Sequence, residues 1–382
     1  MKFKGLIALA MLTSLISCGQ SEDSTYYGPL DKRIYTINDL ATINVGAYSY
    51  SRVVCLGAGA LRYYSYVGDL NKLIAVEGID SATTFGVGQA VRPYYDANKT
   101  VFGALPTAGL GGPVMNGQLI TDAQLETLVN LEPDIIISFL SAESNQKIVD
   151  TLELPVVALS QGQDGVFDEV TMSSLYLLGK IFHKTSEVEH IANYVKDFKA
   201  DLDTLTVSSI SYYAGCIGNW GKTNLYGSYK NFPVFDYAKV TNVVDSFSDL
   251  VSHKQVSIDK EKLVDANPSK IFIDSAGLGT FLADYKANKS SYEGISAIEN
   301  GEVYTLLPYN AYYTNLEIQL TSTLYVASIA HPNDPLFENM DLEAKYDEVF
   351  EVFNKKAMYQ EYKVRADAYG AYNKINLDDL IA

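Results

Sequence analysis

The sequence is short of the side chains on which catalysis and metal binding most often depend. Its 382 residues hold four histidines, three cysteines and one tryptophan. His183, His190, His253 and His331 are scattered along the chain. That argues against a multi-histidine metal receptor and against Ser-His-Asp or Cys-His machinery in a recognisable context. Three cysteines exclude a disulfide scaffold and any multi-cysteine metal site. Cys55, in "RVVCLG", and Cys216 read as small buried hydrophobes. Basic residues are outnumbered too, with 29 Lys and Arg against 46 Asp and Glu and a formal net charge of −17. Such a surface argues against nucleic acid and against a polybasic membrane patch. Gly57-Ala58-Gly59 starts a dinucleotide fingerprint, but Arg62 stands where its third glycine belongs, so NAD binding is rejected. Glu187 and His190 make one Glu-x-x-His, where a di-iron bundle needs two, and read as a solvated helix face.

What is present begins with a leader. "MKFKGLIALAMLTSLISC" places Lys2 and Lys4 before an apolar run and small residues, the pattern of a secretory signal. Leu15-Ile16-Ser17-Cys18-Gly19 resembles a bacterial lipobox, with cleavage before Cys18 and lipid on its thiol. Residues 1–17 are therefore assigned as signal peptide and 18–30 as lipidated cysteine and polar tether. Beyond them no run approaches the roughly 18 apolar residues of a spanning helix. The expectation is an extracytoplasmic protein held to a cell membrane by its acyl chains.

The roughly 365 remaining residues suffice for two lobes. "YTINDLATINV" (35–45) alternates like a short hairpin. "SRVVCLGAG", "NKLIAVEG", "DIIISFL" and "PVVALS" read as strands, with helices at "ALRYYSYVG", "TDAQLETLVNLEP" and "NQKIVDTLEL". Thr121 with Gln124 forms a capping box, and Leu125, Leu128 and Val129 supply an apolar face. From Thr185 to Leu205, Val188, Ile191, Ala192, Val195, Phe198, Leu202 and Leu205 keep helical spacing. A second lobe repeats the grammar: strands at "SSISYYAG", "SKIFIDSAG" and "EVYTLLP", and helices at "SIDKEKLVDANP" and "TNLEIQLTSTLYVASIA". The latter is capped by Thr314 with Glu317. Alternating strands and helices with near-continuous apolar strands give the fold class: α/β, two Rossmann-like lobes with mainly parallel sheets joined by one long α-helix. The divisions are an N-terminal lobe at 31–184, a connecting helix at 185–206, and a C-terminal lobe with helical tail at 207–382.

Ligands of open α/β sheets bind beyond the carboxyl ends of strands. Chain following those ends carries aromatic groups: "LRYY" with Arg62 and Tyr63, "RPYY" with Arg92, Tyr94 and Tyr95, and Met115 nearby. The second lobe offers Trp220 and Tyr226 in "NWGKTNLYGSY", then Tyr309, Tyr312 and Tyr313 in "PYNAYY". These rings suit a large flat or chelate-bearing ligand, with Arg62 and Arg92 for its carboxylates or phosphates. The alternative is that individual tyrosines simply pack on the lobes.

"RVVCLGAGALRYYSYVGDLNKLIAVEG", "LETLVNLEPDIII" and "YNAYYTNLEIQLTSTLYVASIAHPNDPLF" together resemble the substrate-binding lipoproteins of ABC importers for cobalamin, haem and iron–siderophore complexes, the periplasmic binding proteins with a rigid helical backbone. The resemblance covers most of residues 35–345. It implies a non-enzymatic monomer without cofactor that captures an iron–siderophore complex, haem or a corrinoid between its lobes. The cargo then passes to the transmembrane subunits of an ABC permease. It also implies that a surface glutamate on each lobe docks onto permease arginines. Glu126 and Glu261 match those positions, each seven residues before a proline in the near-repeats "LETLVNLEPDIII" and "KEKLVDANPSKIFI". Two rivals remain: a surface scavenger lipoprotein without a cognate permease, and a metallochelatase-like enzyme on the same scaffold.

Overall fold

Strands written as unbroken apolar runs must be covered on both faces. Val53–Leu56 (β2) and Ile135–Ser138 (β4) meet that requirement, with every residue buried. The coordinates are a computed structural model, which describes residues 28–81, 91–107, 119–218, 223–311 and 313–382. Ile34–Tyr35 (β1), Leu73–Ala75 (β3) and Val156–Ala158 (β5) complete a parallel sheet in the order β1-β5-β4-β2-β3. The second sheet contains Ser211–Gly215 (β6), Thr241–Asn242 (β8), Lys270–Asp274 (β10) and Val303–Leu306 (β11). It is also parallel, in the order β11-β10-β6-β8. Gly227–Lys230 (β7) and Lys254–Ser257 (β9) form a separate antiparallel pair.

With β1 set aside, the two sheets follow one plan. In each, the fourth strand in chain order neighbours the third, the third the first, and the first the second. The near-repeated phrases fall on the same step of this plan. Asp122–Leu131 (α3) leads into β4 and Lys260–Ala266 (α8) leads into β10. Each helix ends on a left-handed residue, Glu132 (φ 48°) or Asn267 (φ 40°), and the proline that follows prevents its continuation.

The other helices used below are Ala60–Val67 (α1), Pro93–Ala104 (α2), Ala142–Leu152 (α4), Glu169–Ile181 (α5), Thr185–Leu202 (α6) and Pro233–Tyr237 (α7). Past the second copy of the phrase come Ser275–Ala287 (α9), Leu316–Ala330 (α10), Leu342–Asn354 (α11) and Tyr359–Lys363 (α12). The long helix α6 runs 18 residues, about 27 Å at 1.5 Å per residue. It buries Val188, Ile191, Val195, Phe198 and Leu202, and stops three residues before Leu205. Its buried face packs on α5 and α11.

Two local expectations fail for identifiable reasons. Residues 35–45 do not form a hairpin. Ile34 and Tyr35 pair in parallel with Val156 and Val157, and Thr36 then caps a 3-10 turn over Ile37–Asp39 with a reciprocal bond to Asp39. Turn chemistry overrides the alternation. Nor does Thr314 cap α10. Asn315 occupies the N-cap position without a side-chain bond, while Thr314 bridges back to Asn310. Every residue of α10 from Leu316 to Ala327 is buried, so Glu317 is drawn to tertiary partners and away from its own helix end. The capping box at Thr121 and Gln124 does form, with Leu125 and Leu128 buried, but Val129 stays about half exposed.

One apolar cluster runs through both sheets. Val53 and Ile137 of the first belong to it together with Tyr212, Phe272 and Tyr304 of the second. The lobes therefore share a core and do not merely touch.

Candidate ligand site at the lobe junction

Parallel strands deliver all their carboxyl ends to one edge. In the N-terminal lobe these ends lead into Gly57–Gly59, Phe139–Ser141 and the loop 159–168. In the C-terminal lobe they lead into Asp274–Ser275 and the loop 307–315. Gly57 and Gly59 take φ values of 87° and 89°, open to glycine at little cost. A Cβ on Gly57 would stand 3.1 Å from the Phe139 carbonyl carbon, so the turn after β2 packs directly on the turn after β4.

The two sets of loops meet. Arg62, fully buried on α1, donates to the carbonyl oxygens of Ala311 (2.5 Å) and Thr314 (3.1 Å) in the opposite lobe. The Tyr313 ring lies 5.3 Å from that of Phe139. Gln319 of α10 clips the loop after β5 with both ends of its amide. Its Oε1 accepts from Val166 N–H at 2.9 Å, and its Nε2 donates to the Asp164 carbonyl at 2.8 Å. Phe167 stacks on Tyr237 of α7 at 3.9 Å, the Tyr237 hydroxyl donates to Asp164 (3.4 Å), and His253 Nδ1 lies 3.6 Å from the same carboxylate. Deeper in, Glu317 accepts from the hydroxyl of Tyr66 (2.7 Å) and from Asn354 Nδ2 (3.1 Å).

The predicted residues are distributed unevenly around this junction. Arg62, Arg92, Tyr94 and Tyr95 are brought together. The Arg62 guanidinium lies 4.8 Å from the Tyr94 ring centroid and that of Arg92 lies 4.2 Å from Tyr95. Tyr94 donates to Asp80 at 2.6 Å and Arg92 to the Ile79 carbonyl at 2.7 Å. Burial pushes the Asp80 carboxyl up, against the opposing pull of Tyr94, Arg92 and Arg62. Tyr63 is buried edge-on to Phe139 at 5.0 Å. Tyr309 is buried against Phe232 (4.8 Å) and Tyr229 (5.9 Å). Tyr226 is half-buried and stacks on Tyr292 inside the C-terminal lobe, apart from the others. Tyr313 keeps part of its surface open. Glu126 and Glu261 are exposed at equivalent steps of α3 and α8. Cys18, Met115, Trp220 and Tyr312 lie outside the described residues.

Sequence reasoning passed over Asp164, Gln319, Tyr237 and His253. The signal for the first was available: "QGQDGVF" follows a strand and carries two glycines, the mark of a loop at a carboxyl edge. Nothing in the sequence marks Gln319, a polar residue inside an apolar helix. Asp274 is also at this edge. It accepts from the N–H groups of Ala276 and Tyr309 (both 2.9 Å), and burial, partly offset by those two bonds, holds its carboxyl up at about 7. Cys55 and Cys216 are both buried, and burial pushes both thiols up, away from nucleophilic or metal-binding use.

The profile of the family described as periplasmic binding protein matches residues 60–309, well over half of the chain. Solved structures of the same shape include a periplasmic solute binding protein from Veillonella parvula (TM-score 0.61, 15% identity, covering 87% of this chain and 95% of that one). The molybdate periplasmic binding protein of Haemophilus influenzae gives 0.57 at 15% identity, covering 81% and 94%. The Helicobacter pylori protein CeuE with Ni(II) bound gives 0.53 at 16% identity, covering 80% and 91%. At these identities the likeness speaks for fold alone. No curated protein matches the sequence. The shared plan of the two sheets, their facing carboxyl edges and the profile match lead to one conclusion: the chain belongs to the periplasmic binding protein family, the extracytoplasmic solute receptors of ABC transporters.

Proposed function

We propose that this receptor captures a metal-bearing organic cargo (an iron–siderophore complex, haem or a corrinoid) at the lobe junction and hands it unchanged to a permease. The observation that carries the reading is the junction itself. The carboxyl edges of two sheets built on one plan face each other across aromatic rings and buried guanidinium groups. Tyr313, with Phe139 behind it, meets the cargo. Arg62, Arg92, Tyr94 and Tyr95 form the wall that holds the contact surface in shape, and Tyr63 and Tyr309 back it from either lobe. Rings and delocalised cations favour a flat, anionic or chelate-bearing ligand over a sugar. The Haemophilus influenzae and Helicobacter pylori structures hold molybdate and Ni(II), which supports a metal-bearing class.

The chain is tethered through Cys18, with lobes at 31–184 and 207–382 around the helix 185–206. Glu126 and Glu261 dock the loaded receptor on basic side chains of the permease. Rim charges of this kind set encounter and orientation more than affinity. To test the cargo, residues 19–382 are expressed and what co-purifies is identified by mass and visible absorption. A stoichiometric iron chelate, haem or corrinoid is expected. A protein that retains none of these when they are supplied overturns the ligand class.

A further inference from the structure

The profile match ends at residue 309, yet the chain continues through another long folded stretch. Helix α11 packs on α1, α2 and α6 of the N-terminal half as well as on α10. Phe353 meets Tyr66 edge-on at 5.1 Å. Farther along, the Tyr362 hydroxyl (3.2 Å) and Arg365 Nη1 (2.9 Å) both reach Asp96 on α2, whose carboxylate is nearly buried. Arg365 is held in turn by Asp367 at 2.8 Å.

A few residues later the same stretch is hydrogen-bonded to the opposite lobe. Thr305 N–H donates to the Asn373 carbonyl (2.8 Å) and Ile375 N–H to the Val303 carbonyl (2.9 Å), so the chain runs antiparallel along β11. Lys374 reaches Glu302 at 2.5 Å. Tyr372 joins the two ends. Its ring lies 4.9 Å from Tyr346, 5.9 Å from Tyr359 and 5.1 Å from Tyr325, and its hydroxyl meets Thr321 (2.5 Å) and Ser322 (3.0 Å) of α10.

We infer that residues 342–375 are an interlobe brace: a further crossing between the lobes, packed along α6 but with anchor points of its own on α2 and β11, that sets their spacing. A single rod still allows its two ends to pivot. A second crossing anchored at other points, on Asp96 and along β11, removes that freedom and leaves only the small sliding of packed elements. The inference concerns lobe geometry and stands whatever the cargo proves to be.

Spin labels at Asp150→Cys on α4 and Ala283→Cys on α9, both exposed, report the lobe-to-lobe distance in residues 19–382. Cys55 and Cys216 are buried and stay unlabelled. The parent is expected to show one narrow distance distribution. Tyr362→Phe with Arg365→Ala removes the anchor on α2. A Gly-Ser insertion after Gly370 leaves every contact possible but slackens the crossing. In either variant, once circular dichroism shows native helix content, the distribution is expected to broaden and extend to longer distances. A distribution as narrow as the parent's in the folded insertion variant overturns the brace and leaves α6 and the shared core as the determinants of spacing.

Discussion

At the scale of single residues, the junction depends on polar groups that are fully enclosed. Gln319 satisfies the buried Val166 N–H and the partly buried Asp164 carbonyl in the opposite lobe at once. Gln319→Ala leaves the buried Val166 N–H unmet and is expected to cost about 1–3 kcal/mol in urea denaturation. An unchanged midpoint would show that the clip contributes nothing. Asp274 adds a pH signature. Its carboxyl, raised to about 7, favours the folded state fully below the ordinary value of 3.8, and that contribution is lost as pH rises through 7. The melting temperature of Asp274→Asn is therefore expected to fall less between pH 5 and pH 8 than that of the parent. Residue-scale legibility was partial. That Arg62, Tyr94 and Tyr309 lie in chain that follows strand ends was readable, because strand ends follow from apolar runs. That their side chains turn inward was not, because an amphipathic ring satisfies a core and a rim equally well. Glu317 misled in the same way: three residues after a threonine it has the form of a cap, and only the enclosure of α10 sends it to Tyr66 and Asn354.

At the scale of elements, the repeated helix–proline–strand step is the clearest correspondence between sequence and structure. The phrase at 125–137 and the phrase at 260–273 fall on α3–β4 and α8–β10, the same position of one sheet plan. If these helices present the docking glutamates, Glu126→Ala with Glu261→Ala abolishes uptake in cells while leaving the cargo's Kd on purified protein unchanged. Retained uptake would favour a scavenger without a permease. The edge of β11 carries a second test. Glu302 loses some solvation, but Lys270, Lys374 and the Tyr304 hydroxyl outweigh this and hold its carboxyl down to about 2. The stability it contributes is present above the ordinary value of 4.5 and is lost as pH falls towards 2. Amide protection factors at residues 373–375, taken against intrinsic rates at each pH, are expected to fall over that interval, and Glu302→Gln to remove that fall. The supposed hairpin at 35–45 was illegible for a plain reason: period-two alternation also arises in tight turns, and the partner of β1 lies more than a hundred residues away.

At the scale of the whole molecule, two sheets and a shared core bring the two sets of strand-end loops into direct contact at one junction. The α/β architecture was legible because helices and strands alternate with distinct periods. The role of the tail was not, since its aromatic residues bond two different lobes and no local pattern encodes that. The proposed function ties cargo binding to this junction. The most direct measurement is amide hydrogen exchange on residues 19–382 with and without the co-purifying compound. Slowed exchange is predicted in 57–63, 139–141, 159–168 and 308–315, on both sides of the junction. Protection confined to a single lobe, or to outward surfaces such as 241–247 and 262–266, would contradict the account.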